Sequence, residues 1–135
     1  MEKKDLILVV DDDSDFLSSV STLLRNEGYR VDTARTGAEA IEKCSEEFYA
    51  LALIDVRLPD MDGIQIMEVI EESDPKMRKI IVTGYPRIED TQRALDYGAH
   101  AYLIKPVDPK TLLEKIEKQL KERENELKER YFLLK

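Results

Sequence analysis

The sequence has little of what disulfide-bonded or membrane-embedded proteins require. Its 135 residues include one cysteine, Cys44, and one histidine, His100. A single cysteine cannot form an internal disulfide, a pattern typical of proteins in a reducing compartment. No apolar stretch approaches the roughly 18–20 residues that cross a bilayer. Only a short apolar run follows the charged first residues, so no secretory signal is expected. We therefore expect a soluble, cytoplasmic protein without a membrane anchor.

An excess of positive charge is also missing. Lys and Arg number 21 against 29 Asp and Glu, which gives a formal net charge of −8. Proteins that bind a phosphate backbone use Lys and Arg to displace its counterions, so direct nucleic-acid binding is not expected. The length suits one domain with a substantial core.

Apolar runs of strand length alternate five times with helical patterns. We predict strands at residues 6–10, 30–34, 50–54, 79–82 and 101–104. Each is followed by apolar residues at helical spacing, and Gly28 and Gly98 stand where glycine often ends a helix. Short connections between five such units predict a doubly wound α/β fold, with parallel strands and helices on both faces.

Chemically useful side chains follow four of the five predicted strands. In chain order they are Asp11, Asp12, Asp13, Asp55, Thr83 and Lys105. An open α/β sheet binds its ligands beyond the carboxyl ends of its strands, so we expect these groups to share one site. Taken singly, each aspartate is more simply interpreted as a turn or helix-cap residue. That interpretation is kept for Asp13, as the cap of the first helix, and for Asp60 and Asp62.

The chemistry of such a site is specific. Clustered carboxylates raise one another's pKa unless a cation is present. Oxygen ligands without a neighbouring His or Cys select a hard ion, and Mg²⁺ is the natural choice. An aspartate carboxylate can attack phosphorus to form an aspartyl phosphate. Phosphoryl transfer needs positioning and neutralisation of the equatorial oxygens, which Mg²⁺, a lysine and a hydroxyl would provide.

Four motifs resemble the receiver domain of bacterial two-component response regulators. They lie at residues 7–13, 53–63, 81–85 and 102–106, in the order and spacing of that family. The resemblance covers roughly residues 5–120 and implies a flavodoxin-like sheet of strand order 2-1-3-4-5. It implies a signalling switch that takes a phosphoryl group from a histidine kinase or a histidine phosphotransfer protein. Such a module catalyses its own phosphorylation and dephosphorylation and is not a metabolic enzyme.

The resemblance also implies which residues bind the metal and the phosphoryl group. Asp55 would accept the phosphoryl group and would bind Mg²⁺. Asp12 would be a direct ligand, Asp11 would act largely through water, and the backbone carbonyl of Arg57 would complete the set.

Three further residues would sense the phosphoryl group. The hydroxyl of Thr83 and the ammonium of Lys105 would contact it, and the Lys105–Pro106 peptide bond would be cis. Tyr102 would turn inward when Thr83 is drawn toward the phosphate.

Two other functions remain open on the sequence alone. The first is a small aspartate-nucleophile phosphatase, with Asp11 as nucleophile and Asp13 as acid. The chain lacks the cap domain and the second downstream acidic pair that this alternative needs. The second is an interaction scaffold with an inert site.

The last predicted helix, residues 108–134, is unusually long, at roughly 40 Å. One heptad position is leucine throughout, at Leu113, Leu120, Leu127 and Leu134. The complementary position holds Ile116, Arg123 and Arg130, which is a weak coiled-coil pattern. We expect a receiver domain at 1–120 and a helical extension at 121–135 that forms a homodimer and can lead to an output domain. The alternative is a solvated tail that frays.

Overall fold

A computed structural model describes residues 5–134 of the chain; residues 1–4 and Lys135 fall outside this range. Within it, five strands and five helices alternate as predicted. The strands are β1 (Leu6–Val10), β2 (Arg30–Ala34), β3 (Leu51–Ile54), β4 (Arg78–Thr83) and β5 (Ala101–Ile104). The helices are α1 (Ser14–Asn26), α2 (Gly37–Glu46), α3 (Gly63–Ser73), α4 (Ile88–Asp96) and α5 (Pro109–Leu134).

The strands form one parallel sheet in the order β2-β1-β3-β4-β5, which confirms the predicted topology. The central strand β1 ends level with its neighbours, because Val10 pairs with Ala34 on one side and with Ile54 on the other. Thr83 likewise pairs with Ile104 at the ends of β4 and β5. This register brings the residues that follow β1, β3 and β5 to one edge of the sheet.

Helices cover both faces of the sheet, which is why the central strands β1 and β3 are continuous apolar runs. Leu8 and Val10 of β1 belong to a core shared with α2, α3 and α4. Ile7 and Val9 belong to the opposite core, shared with α1 and α5. None of the helices within residues 5–134 is long and apolar enough to cross a bilayer.

Helix α1 begins where the sequence predicts. The carboxylate of Asp13 accepts hydrogen bonds from the backbone N–H groups of Asp15 (2.9 Å) and Phe16 (3.3 Å). A carboxylate at this position satisfies donors that the first helical turn leaves unpaired and complements the positive end of the helix dipole. Asp13 is therefore the N-cap of α1, as predicted.

Helix α5 is continuous to Leu134 and stays attached to the domain beyond the sheet. Leu120 is buried and Leu113 packs against the same core, so the first two leucines of the heptad stripe face the sheet. Six residues past Leu120, the carboxylate of Glu126 lies 2.7 Å from the guanidinium of Arg78, which is 5% exposed at the start of β4.

Candidate functional site

Asp11 and Asp55 are placed by the backbone ladder of the sheet. The N–H of Asp11 donates to the carbonyl of Ala34, and the N–H of Asp55 donates to that of Val10, both at 3.0 Å. The two residues are 1% and 6% exposed, whereas the neighbouring Asp12 is exposed. Carboxylate oxygens of Asp11, Asp12 and Asp55 all lie within 4.8 Å of one another. The structure thus brings together the three acidic residues proposed as ligands.

Lys105 reaches this acidic cluster from the end of β5. Its Nζ lies 2.5 Å from Oδ2 of Asp11 and 3.3 Å from Oδ2 of Asp55. The backbone N–H of Lys105 donates to the carbonyl of Thr83 at 2.8 Å, which fixes the base of the side chain. The Lys105–Pro106 peptide bond is cis, as the resemblance implies.

The charges of the cluster are only partly balanced. Burial raises the pKa of Asp11; hydrogen bonds from Lys105 and the N–H of Asp13 oppose this, and the charge of Asp55 adds to it. Burial lowers the pKa of Lys105, but its ion pairs with Asp11 and Asp55 outweigh burial and raise it overall. Lys105 supplies one positive charge against the three carboxylates of the cluster, and the atoms that could bind a metal ion are all oxygen. Such a set fits a hard divalent cation such as Mg²⁺.

The segment after Asp55 turns tightly back on the strand. The N–H of Arg57 donates to Oδ1 of Asp55 at 3.2 Å, and the N–H of Gly63 donates to the carbonyl of Val56 at 2.7 Å. A Cβ at Gly63 would collide with the backbone carbonyl of Asp55, so only glycine fits. The side chain of Arg57 lies over the ring of Tyr85, 4.5 Å from its centroid. The carbonyl of Arg57 as a metal ligand stays a prediction.

Thr83 and Tyr102 occupy adjacent strands. Thr83 is fully buried, and its Oγ1 accepts the N–H of Tyr85 at 3.2 Å. Tyr102 pairs with Ile81 and packs against the core shared with α2, α3 and α4. Its hydroxyl is buried and has no hydrogen-bond partner among residues 5–134. Tyr102 is thus half-buried with its hydroxyl inside the domain, and its coupling to a movement of Thr83 stays a prediction.

Two acidic residues that we interpreted as local also make distant contacts. Asp60 accepts the N–H groups of Gly37 (2.8 Å) and Ala38 (2.9 Å), at the start of α2. Asp62 caps α3, as predicted, and also forms an ion pair with Arg93 of α4 at 2.9 Å. The loop between β3 and α3, residues 55–62, therefore connects α2, α3 and α4.

One neighbour of the site was missed. Phe16 lies in α1, among apolar residues at helical spacing, and its ring centroid is 4.3 Å from Nζ of Lys105. Apolar spacing reveals which face of a helix is covered, but it carries no information about a cation contributed by a residue 89 positions away.

Comparisons with known proteins agree with this geometry. A sequence model of the family described as "Response regulator receiver domain" matches residues 7–117. The chain is 41% identical over 114 residues to the transcriptional regulatory protein ZraR of Escherichia coli K12, covering 84% of this chain and 26% of ZraR. The chain thus spans about a quarter of the length of ZraR. It is 36% identical over 118 residues to the chemotaxis protein CheY of Treponema pallidum, covering 85% of this chain and 82% of CheY.

Solved structures are similar over nearly the whole chain. A CheY-like receiver domain protein from Methanospirillum hungatei JF-1 superposes with a TM-score of 0.89 at 46% identity, covering 90% of this chain and 98% of that one. The beryllofluoride-activated NtrC4 receiver domain dimer gives a TM-score of 0.83 at 36% identity, covering 87% and 98%. The chain therefore belongs to the response regulator receiver domain family and is a phosphorylation-activated signalling switch.

Proposed function

We propose that Asp55 accepts a phosphoryl group from a histidine kinase or a histidine phosphotransfer protein in a Mg²⁺-dependent reaction. One observation carries the proposal: Asp55 shares a site with two further carboxylates and is contacted by the ammonium of Lys105 at 3.3 Å. A carboxylate oxygen of Asp55 forms the new bond to phosphorus as the phosphorus–nitrogen bond of the donor breaks. Asp55 attacks as a carboxylate, so no proton has to leave it.

The residues that would hold Mg²⁺ are Asp11, Asp12, Asp55 and the backbone carbonyl of Arg57. The bound ion would neutralise charge on the phosphoryl oxygens. The protein's own part is to fix the carboxylates: the N–H of Asp13 holds Asp11 at 2.9 Å, and the N–H of Arg57 holds Asp55. Asp12 is exposed, so it can bind an ion that arrives from solvent with little rearrangement.

Lys105 and Thr83 are suited to detect the added group. Nζ of Lys105 bridges Asp11 and Asp55, and a short shift toward Asp55 would pair it with a phosphoryl oxygen. The hydroxyl of Thr83 accepts a hydrogen bond from Tyr85, which leaves its own proton free to donate. A phosphorylated side chain carries about −1.5 to −2 charges at neutral pH, so both donors are drawn toward it. Movement of Thr83 toward the phosphoryl group would hold Tyr102 in its packed position against the core, which would favour one arrangement of the surface near α4 and β5.

The test is labelling by acetyl phosphate, read by intact mass with and without Mg²⁺. Wild type should gain one phosphoryl group only with Mg²⁺, and Asp55→Asn should gain none. Asp13→Asn is the matched control, because asparagine also caps a helix and Asp13 is committed to α1. Labelling that survives in Asp55→Asn would contradict the assignment of the acceptor.

The same assay addresses the two alternatives. The phosphatase alternative needs Asp13 as an acid next to Asp11, but its carboxylate is engaged as the cap of α1. A phosphatase would release phosphate from a phosphomonoester with turnover, whereas we expect one self-limited labelling event per chain. An inert scaffold would not be labelled at all.

We further propose that residues 1–120 form the receiver and that the extension, residues 121–135, mediates homodimerisation. Leu113 and Leu120 face the sheet, so the contact would begin near Leu127. Support comes from the end of the helix, where four consecutive large side chains are 61–88% exposed: Tyr131, Phe132, Leu133 and Leu134. The similar NtrC4 receiver domain is described as a dimer.

Sedimentation of the full chain and of a chain ending at Arg130 would test the dimer, each with and without Mg²⁺ and beryllium fluoride. The shorter chain keeps the Arg78–Glu126 ion pair, so its domain should stay intact. We expect only the full chain to associate, with a dissociation constant that the phosphate mimic changes. Equal behaviour of the two chains would contradict the proposal.

An output domain, in the same polypeptide or as a separate cytoplasmic partner, would receive the signal.

A further inference from the structure

The ammonium of Lys105 is contacted by an aromatic ring as well as by two carboxylates. Asp11 and Asp55 accept from Nζ at 2.5 and 3.3 Å. The ring of Phe16 lies with its centroid 4.3 Å from the same nitrogen. The face of an aromatic ring is electron-rich and attracts a cation at such a distance. Phe16 therefore occupies a side of the ammonium that the carboxylates leave open.

Phe16 and Lys105 both border a large open groove. The groove has a volume of about 740 Å³ and runs between α1 and the segment that joins β5 to α5. Its other lining residues include the apolar Val20, Leu23 and Val107 as well as the acidic Asp13 and Asp15. A lysine side chain has four flexible bonds, and the groove offers it space to turn away from the carboxylates. The ring of Phe16 opposes that movement.

The position of Phe16 is fixed by the acidic cluster itself. The N–H of Phe16 donates to Asp13, and the N–H of Asp13 donates to Asp11 at 2.9 Å. Asp11 in turn pairs with Lys105. The backbone of Phe16 is thus linked to the partner of the ammonium by a short path of hydrogen bonds, in addition to the packing of α1 against the sheet.

We propose that Phe16 is a positioning residue for phosphoryl transfer, whose ring face holds the ammonium of Lys105 toward Asp11 and Asp55. The proposal rests on the proposed function of Asp55 and names a residue outside its metal and phosphoryl ligands. An aliphatic side chain at this position would fill the same space but would not hold the cation. Lys105 would then spend part of its time in the groove, and the phosphoryl oxygens would be neutralised less often.

Three replacements separate the electrostatic role of the ring from its bulk. Phe16→Leu removes the ring, pentafluorophenylalanine at position 16 keeps the shape but reverses the charge distribution of the ring face, and Phe16→Trp strengthens it. We expect the rate of Mg²⁺-dependent labelling by acetyl phosphate to fall about three- to tenfold in the first two. Phe16→Trp should keep the wild-type rate. Leu23→Ala, in the same groove, is the matched control and should also be unchanged.

Two further measurements exclude a merely structural role. In the Lys105→Met background the effect of Phe16→Leu should disappear, because the two residues act as one pair. By NMR, the ε-methylene protons of Lys105 should resonate upfield in wild type, since they lie near the ring, and should shift to ordinary positions in Phe16→Leu. No labelling of wild type would overturn the proposed function of Asp55. Ordinary ε-proton shifts in wild type, or a wild-type rate in the fluorinated variant, would overturn the role of Phe16.

Discussion

His100 lies at the end of the sheet opposite the acidic cluster and is held as a neutral imidazole. Its Nδ1 accepts a hydrogen bond from the backbone N–H of Lys79 at 3.1 Å, and the backbone N–H of His100 donates to the carbonyl of Lys79 at 2.8 Å. Burial, with a smaller contribution from the positive charges of Arg78 and Lys79, lowers the pKa of His100 from 6.5 to about 4. The negative charges of Glu126 and Glu71 oppose this shift only in part.

This lowered pKa makes the stability of the fold depend on pH. Between pH 6.5 and about 4, the unfolded chain binds a proton at His100 that the folded chain does not. The free energy of unfolding therefore falls as the pH decreases through this range. The full difference of about 2.5 pH units would correspond to about 3 kcal/mol. Because the imidazole is only partly buried, screening by solvent reduces this contribution to about 1.5 kcal/mol.

Replacement of His100 by asparagine isolates this effect. The side-chain oxygen of asparagine can accept the N–H of Lys79, and it does not titrate. Urea unfolding followed by far-UV circular dichroism, at pH 7 and pH 4.5 and constant ionic strength, gives the free energy of both proteins. Carboxylates titrate in both, so the difference between the proteins reports on His100. We expect wild type to lose about 1.5 kcal/mol more than His100→Asn. Equal losses would refute the assignment of a half-buried neutral imidazole.

Three further predictions concern the site. Gly63→Ala should lower the free energy of unfolding by about 3 kcal/mol in urea, because its Cβ collides with the backbone of Asp55. Asp12→Asn should retain the fold, since residue 12 is exposed, but should weaken Mg²⁺ binding about tenfold or more by calorimetry. Asp15→Asn, also exposed but outside the cluster, is its control. Lys105→Ala should fold and bind beryllium fluoride without the conformational change that wild type shows by NMR.

Each of these has a distinct contradicting outcome. A Gly63→Ala protein as stable as wild type would mean that the loop between β3 and α3 can shift to admit a Cβ without cost. Unchanged Mg²⁺ affinity in Asp12→Asn would place the ion elsewhere. A wild-type spectral change in Lys105→Ala would show that Lys105 does not couple the phosphoryl group to the rest of the domain.

The fold was predictable because the inner strands β1, β3 and β4 are buried on both faces. Such strands must be apolar throughout, as at β1 and β3, and they stand out between helices of 3.6-residue periodicity. Much of the site was predictable for a related reason. Parallel strands end at one edge, so Asp11, Asp55 and Lys105 had to meet there.

The sequence alone does not predict contacts between residues that only the packed fold brings together. The contact of Asp60 with the start of α2 depends on where the loop lies relative to a helix more than twenty residues earlier. Leu120 illustrates a second limit. Its heptad spacing is the same whether it faces a sheet or a partner helix, and only the packing of α5 shows that it faces the sheet. The contact of Phe16 with Lys105 could not be predicted for both reasons. Its partner is distant in the sequence, and helical spacing does not show what covers an apolar side chain.

The ion pair between Arg78 and Glu126 supports α5 at a second point beyond the sheet, and this limits how far the end of the helix can move. From Leu120 to Leu134 the helix projects about 21 Å, and a tilt of 10° at Leu120 would move its tip by about 4 Å. Because the ion pair holds Glu126 against β4, only the segment from Glu126 to Leu134 is unsupported, and it is about 12 Å long. A tilt of 10° at Glu126 would move its tip by about 2 Å. Strand β4 carries Arg78 at one end and Thr83 at the other. If Thr83 contacts the phosphoryl group as proposed, the strand that responds to it also sets how far the tip of α5 moves.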